Sequence, residues 1–329
     1  MQKTNIEISF TLLLLSLLFV ACSTPTVSSD DSDVGSEKVE QEDRSSSSGI
    51  RSGKEADSSS SSEKNTESSS SEKTFESSSS SANEINCAAL LEEHTGWSWN
   101  VPKVCRFNPD IEYGSMTDSR DGHVYRTVKI GEQIWMAENL NYADSAKTRS
   151  LKGRSWCYNN MPKNCDVAGR LYSWAASIDS LKLATNSNNP LDCGYRKTCT
   201  LPEKVQGICP DGWHLPTYSE WVSLFTAVGG QSTASAKLKS QSGWYSIGSG
   251  DDAFGGGGDD SFGFSALPAG EYYYSGNFSY GAYHALFWSS TEVGGGYAIG
   301  MELDYANDGA SLYNDCIKVD GFSVRCIKN

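Results

Sequence analysis

Cysteines, histidines, paired aspartates and a cluster of tyrosines are the side chains whose types and spacing bear on chemistry in this 329-residue sequence. Nine of the ten cysteines follow residue 86: Cys87, Cys105, Cys157, Cys165, Cys193, Cys199, Cys209, Cys316 and Cys326. None of them has the C-x-x-C spacing of a zinc site, and only four histidines accompany them. In an exported chain disulfides are the default, and an odd set leaves one thiol over. Cys87 and Cys105 bound a short segment holding Trp97 and Trp99 and are expected to close it into a loop. A general base needs a partner that orients it, and the sequence offers none to His214, His94, His123 or His284. No H-E-x-x-H, G-x-S-x-G or phosphate-loop pattern occurs. No catalytic residue is therefore expected. Asp251, Asp252, Asp259 and Asp260 flank the run Gly255–Gly258. Carboxylates and carbonyls on such a loop are a donor set for calcium, the one cofactor considered, and a solvated acidic loop is the competing reading. Tyr272, Tyr273, Tyr274, Phe278, Tyr280 and Tyr283 crowd one segment, with glycines between them. Aromatic rings of this kind stack on sugars or, alternatively, pack a sheet.

The tenth cysteine has a different setting. Lys3 precedes an apolar run from Phe10 to Ala21, which ends Leu18-Phe19-Val20-Ala21-Cys22. The run has the length of a signal-peptide core and is too short for a span of about 20 residues. A small residue directly before the cysteine looks like a bacterial lipobox, in which Cys22 would be acylated and hold the chain on a membrane. Ser23 in place of aspartate resembles outer-membrane sorting, with surface exposure expected. Residues 1–21 are thus read as signal peptide and 22–83 as a serine-rich acidic tether with a mean reach of roughly 40–45 Å. The net charge is −14 and no basic face is legible, so nucleic acid is not an expected partner.

Order is expected from about residue 84, with a small cysteine-bounded segment at 84–115 and the main domain at 116–329. Residues 123–130 alternate, Gly131-Glu132 turns, and 133–136 returns, which predicts a hairpin. One helix is predicted from Gly169 to about Leu183. A second starts at Thr217-Tyr218-Ser219-Glu220, a capping box, with Trp221, Leu224, Phe225 and Val228 on one stripe. Trp135, Trp174, Trp213, Trp221 and Trp288 read as core. Strands are predicted around 283–290, 297–303 and 322–327. The fold class is α+β, two helices and a mainly antiparallel, loop-rich sheet.

Seven ordered motifs carry a family resemblance. They are Asp121-Gly122-His123-Val124-Tyr125, the stretch from Ile130 to Leu140, the stretch from Gly169 to Ala176, Cys209-Pro210-Asp211-Gly212-Trp213-His214-Leu215-Pro216, the stretch from Phe264 to Gly270, Trp288-Ser289-Ser290-Thr291-Glu292 and Phe322-Ser323-Val324-Arg325-Cys326. Together, over 116–329, they resemble the Fibrobacter succinogenes major paralogous domain. The resemblance implies a C-type-lectin-like fold, similar to the formylglycine-generating fold, carried on exported lipoproteins. It also implies the disulfides Cys157–Cys165, Cys193–Cys199 and Cys209–Cys326, leaving Cys316 as a free thiol. The leading functional expectation is a non-enzymatic surface domain that binds polysaccharide or a cell-envelope partner. The alternatives are an assembly lipoprotein with no sugar ligand and an enzyme derived from the formylglycine-generating fold.

Overall fold

The computed structural model describes residues 85–183, 193–248 and 254–329. The signal run, Cys22, the tether, Asp251 and Asp252 lie outside these residues. No helix among the described residues is long and apolar enough to cross a membrane.

Helix α1 (Cys87–Glu93) opens the described chain, capped by the Asn86 side chain, which accepts from the Ala89 amide at 3.1 Å. Strands β1 (Gly114–Thr117), β2 (Val124–Ile130) and β3 (Gln133–Met136) follow as an antiparallel meander. Gly131 takes φ +59° in the β2–β3 turn, where a side chain would be strained. Val128 and Ile130 face one core and Tyr125 the other, so β2 is buried on both sides rather than on one.

Next come β4 (Ser155–Trp156), α2 (Pro162–Ala168), β5 (Leu171–Ser173), α3 (Trp174–Ser177) and α4 (Ser180–Leu183). The single helix predicted from Gly169 to Leu183 is therefore corrected to a strand and two short helices. Tertiary pairing overrides the helical spacing at Tyr172, which sits opposite both Ser155 and Phe322 and donates its hydroxyl to the carbonyl oxygen of Tyr142 at 2.9 Å. Asp179, at φ +49°, breaks the rest, and Ser150 Oγ donates to its carboxylate at 2.6 Å.

Beyond them lie β6 (Trp213–His214), α5 (Tyr218–Ala227), α6 (Gln231–Leu238), β7 (Ser246–Ile247) and β8 (Phe254–Gly255). The capping box at α5 forms as its sequence predicts: the Glu220 amide donates to Thr217 Oγ1 at 3.2 Å and the Thr217 amide to Glu220 Oε2 at 2.8 Å. The chain ends with β9 (Glu271–Tyr272), β10 (Phe278–Ser279), β11 (His284–Glu292), β12 (Tyr297–Asp304), β13 (Ala310–Ile317), β14 (Gly321–Phe322) and β15 (Ile327–Lys328). The strand expected over 322–327 divides in two, and its halves join different sheets. Six α-helices stand among the described residues where two were expected.

The sheets run β1-β2-β3-β15-β6, β10-β9-β14-β5-β4, β11-β12-β13 and β7-β8, with every named strand pair antiparallel. The architecture is α+β. The three-stranded sheet separates two cores. Along β11, Leu286 and Trp288 enter the core of Tyr172, Trp174 and Phe322. Ala285 and Phe287 enter the core of Trp135, Trp221 and Phe264. Period-two alternation sends neighbouring side chains to opposite faces. A strand buried on both faces accordingly reads as one unbroken apolar run, as Ala285 to Trp288 does.

Four disulfides staple the described chain: Cys87–Cys105, Cys157–Cys165, Cys193–Cys199 and Cys209–Cys326. No described cysteine is free, which corrects the expectation of a free thiol at Cys316. That residue is fully buried, and its sulfur occupies the space that a side chain at Gly300 would take. The 84–115 segment packs on the main domain: Lys103 pairs with Glu138, and the Asn108 amide group donates to the Asp260 carbonyl at 3.1 Å.

Candidate functional site

The expected tyrosine face does not form as one surface. Tyr272 stacks on Trp156, with ring centres 3.9 Å apart, and Phe278 lies between Tyr272 and Tyr158 at 5.2 and 5.3 Å. Tyr158 stacks in turn on Trp99 at 5.1 Å, and Trp99 meets Trp97 edge-on at 4.7 Å. These six half-buried rings make a continuous row that joins the cysteine-bounded segment, the β4 region and the β9–β10 hairpin. Tyr273 and the more exposed Tyr274 pair with each other, and Tyr280 lies against His284. Tyr283 packs with Tyr245 and Tyr305. Sequence proximity is lost because the hairpin sends alternate residues to opposite faces. Trp99, Trp156 and Tyr158 join the row only through tertiary packing.

Of the acidic residues beside the glycine run, Asp259 and Asp260 are described, and they point to different partners. Asp260 is fully buried, and its carboxylate accepts from the Ser265 amide at 2.7 Å and from Ser265 Oγ at 2.6 Å. Asp259 is exposed and pairs with Lys237 at 2.5 Å. One of these carboxylates is thus held by its own turn and the other is paired with lysine.

His214, for which the sequence offers no orienting partner, has one in Glu220. It is buried, with Nε2 2.8 Å from Glu220 Oε1 and Nδ1 2.6 Å from Asn329 Oδ1. Both ring nitrogens are thus occupied.

His284 is the histidine that sequence reasoning passed over. It opens β11 directly opposite Asp304 on β12, and Glu302 lies two residues away on the same face of β12. Nδ1 meets Glu302 Oε1, and Nε2 lies 3.4 Å from Asp304 Oδ2. The Ala306 amide and the Asn307 side chain donate to Asp304 Oδ1 at 2.8 and 2.9 Å, which orients that carboxylate toward the imidazole. The legible signal is the Glu-Leu-Asp stretch at 302–304, whose alternate positions share a strand face; pairing it with His284 required the register.

Buried carboxyl groups surround this corner. Burial, reinforced by the charges of Asp320 and Glu302, pushes the Glu271 carboxyl up to about 8. Burial likewise raises Asp320 to about 7, against the opposing hydrogen bond from the Tyr274 amide. Away from it, burial raises Asp260 to about 7 despite its bonds from Ser265. The native state therefore keeps protons on Asp260 and Asp320 at pH values where the unfolded chain has released them. Stability contributed by these groups is full near pH 4 and declines as the pH rises toward 7. The unfolding free energy, measured with urea in chelator-containing buffer, is expected to fall across that window by on the order of a few kcal/mol, since a tenfold change in proton affinity corresponds to about 1.4 kcal/mol. In the doubly substituted chain Asp260→Asn, Asp320→Asn the slope flattens; an unchanged slope would assign it to other groups.

No curated protein and no solved structure matches the chain. The family model described as Fibrobacter succinogenes major domain matches residues 128–328, which takes in the end of β2, β3, α5, most of both cores and every strand that builds the His284 corner. The chain therefore belongs to the Fibrobacter succinogenes major domain family.

Proposed function

We propose that this protein is an outer-membrane lipoprotein, anchored through acylated Cys22, whose folded domain is a non-enzymatic binder of polysaccharide at the cell surface. The observation that carries the reading is the row Trp97, Trp99, Tyr158, Phe278, Tyr272 and Trp156. Consecutive rings held by disulfide-closed segments suit stacking on successive sugar rings, because aromatics supply area with few rotors to freeze. The apolar run ending at Cys22 and the serine-rich stretch after it support display at a distance from a membrane. A C-type-lectin-like arrangement is the finer fold reading. The pairing of β15 with β3 and β6, tied by Cys209–Cys326, supports it.

The test is retention of the purified, oxidised full chain on insoluble cellulose, on xylan and on a glycan array. Retention that weakens at least tenfold in Trp99→Ala, about 1.4 kcal/mol, supports the reading. Failure of the native chain to be retained on any of these sinks it, and recovery of a stoichiometric envelope protein from detergent extracts would then favour an assembly role. Anchoring is read separately: labelled palmitate is expected on the native chain and absent from Cys22→Ser.

A further inference from the structure

The corner formed by β9, β11 and β12 gathers carboxyl groups whose buried oxygen atoms lack partners. Glu302 and Glu271 are 4 % and 2 % exposed, and each has a carboxylate oxygen, Oε2, that is buried and makes no hydrogen bond. A buried carboxylate oxygen with no partner is costly, and such a group calls for a cation or a donor. Among the described residues no lysine or arginine pairs with Glu271, Glu302 or the Asp304 carboxylate. Lys239 lies nearby, but its ammonium donates to the backbone carbonyls of Asp304, Tyr305 and Asn307, at 3.1, 3.3 and 3.4 Å. His284 is the side chain that stands between Glu302 and Asp304.

The donor atoms already converge. One ligand atom from each of His284, Glu302 and Asp304 lies within 4.8 Å of the other two. The His284 Nε2 to Asp304 Oδ2 separation of 3.4 Å is longer than a normal hydrogen bond. It is also the separation, about 3.4 Å, that two donors have when each is about 2.1 Å from a tetrahedral zinc ion. The His284 and Asp304 side chains keep 14 % and 16 % of their surface exposed, so a route from solvent exists. The scaffold is rigid where it needs to be. The His284 amide donates to the Tyr280 carbonyl at 3.0 Å, the Gly270 amide donates to the His284 carbonyl at 2.9 Å, and Asp304 is oriented by its own turn.

We propose that His284, through Nε2, and Asp304 bind a single divalent transition-metal cation of the zinc type, with Glu302 orienting the imidazole through Nδ1 and the Glu271 carboxyl group bordering the site from β9. One imidazole nitrogen with carboxylate oxygens is a donor set for zinc, whereas calcium takes six to eight oxygens and gains little from imidazole. Ligands that come from paired strands and are held by neighbouring hydrogen bonds are the usual means of orienting a metal site. The site stands independently of the polysaccharide reading, because its ligands lie outside the aromatic row.

The experiment is a zinc titration of the chelator-treated, oxidised full chain, followed by calorimetry and by metal content after gel filtration. One zinc per chain bound at micromolar concentration is expected, with millimolar calcium failing to displace it. His284→Gln and Asp304→Asn are each expected to weaken binding at least tenfold with the disulfides intact. Histidine ring resonances of the native chain give a readout that needs no variant: zinc is expected to shift the His284 signals and leave those of His94, His123 and His214 in place. Absence of zinc binding overturns the proposal and leaves His284 as a hydrogen-bonded bridge between two carboxylates. Zinc binding that both variants retain, or that leaves the His284 resonances unmoved, overturns it as well.

Discussion

Replacing Cys209 and Cys326 together by alanine is expected to cost the domain about 4–5 kcal/mol, the largest loss from any of the four bridges among the described residues. The bridge joins residues 117 apart in sequence, and in the chain-entropy model its contribution grows with the logarithm of the loop it closes. Cys193–Cys199 spans only 6 residues and should contribute about 2 kcal/mol on the same reasoning. The long bridge also sits in the core. Both of its sulfur-bearing residues are fully buried, and the carbonyl oxygen of Cys326 accepts the Met136 amide at 3.0 Å. Removing it frees the last strands, which complete two sheets. Urea unfolding of the two double variants is the measurement. The variant lacking the long bridge should show the lower midpoint and the larger m-value, because its unfolded chain exposes more surface. Equal losses in the two variants would mean that loop closure is not what this bridge supplies.

Arg325→Met is expected to cost about 3–5 kcal/mol, the range for removing one member of a buried, charge-bearing network. The Arg325 side chain is 1 % exposed. Nε donates to Asn139 Oδ1 at 2.8 Å, Nη2 to the Ser265 carbonyl at 2.9 Å, and Nη1 to the Phe264 carbonyl. Its guanidinium lies 4.3 Å from the centre of the Phe264 ring. Burial lowers its pKa to about 9, opposed by the Asp260 and Glu138 charges, so it remains charged at neutral pH. Methionine fills the volume and donates to none of the three acceptors, and the Asp260 carboxyl loses its cation. Arg325→Lys keeps the charge but not the planar fork, and should recover only part of the loss. Thermal or urea unfolding decides this. A methionine variant within about 1 kcal/mol of the native chain would show the network to be replaceable by apolar packing, as some buried ion pairs are.

The two variants also mark where sequence reasoning reached and where it stopped. Local signals survived folding. The capping box at Thr217, the stripe of Trp221, Leu224 and Phe225 and the turn at Gly131-Glu132 are all where their spacing places them, because each depends on residues within one or two turns of chain. The segment 169–183 failed for the opposite reason. Its apolar spacing is helical, but Tyr172 is claimed by β4 on one side and by β14, near the C-terminal end, on the other. Helix α6, with the polar sequence Gln231 to Leu238, carries too little apolar pattern to be seen. Arg325 reads in sequence as one residue of a motif, and its burial follows from standing between two strands that join different sheets.

By itself the sequence determined the α+β class, the family, the capped helix, the hairpin and the candidate cysteine pairs. The class, helix and hairpin follow from composition and short-range periodicity, the family from its ordered motifs, and the cysteine pairs beyond Cys87–Cys105 from what that resemblance implies. Only the tertiary structure decided which aromatics share a row, that Asp259 and Asp260 part company, and that His284 meets Glu302 and Asp304. Those groupings depend on strand register and on contacts between distant segments. A one-residue slip would turn Glu302 and Asp304 to the opposite face, so no spacing within a single strand could have specified their meeting with His284.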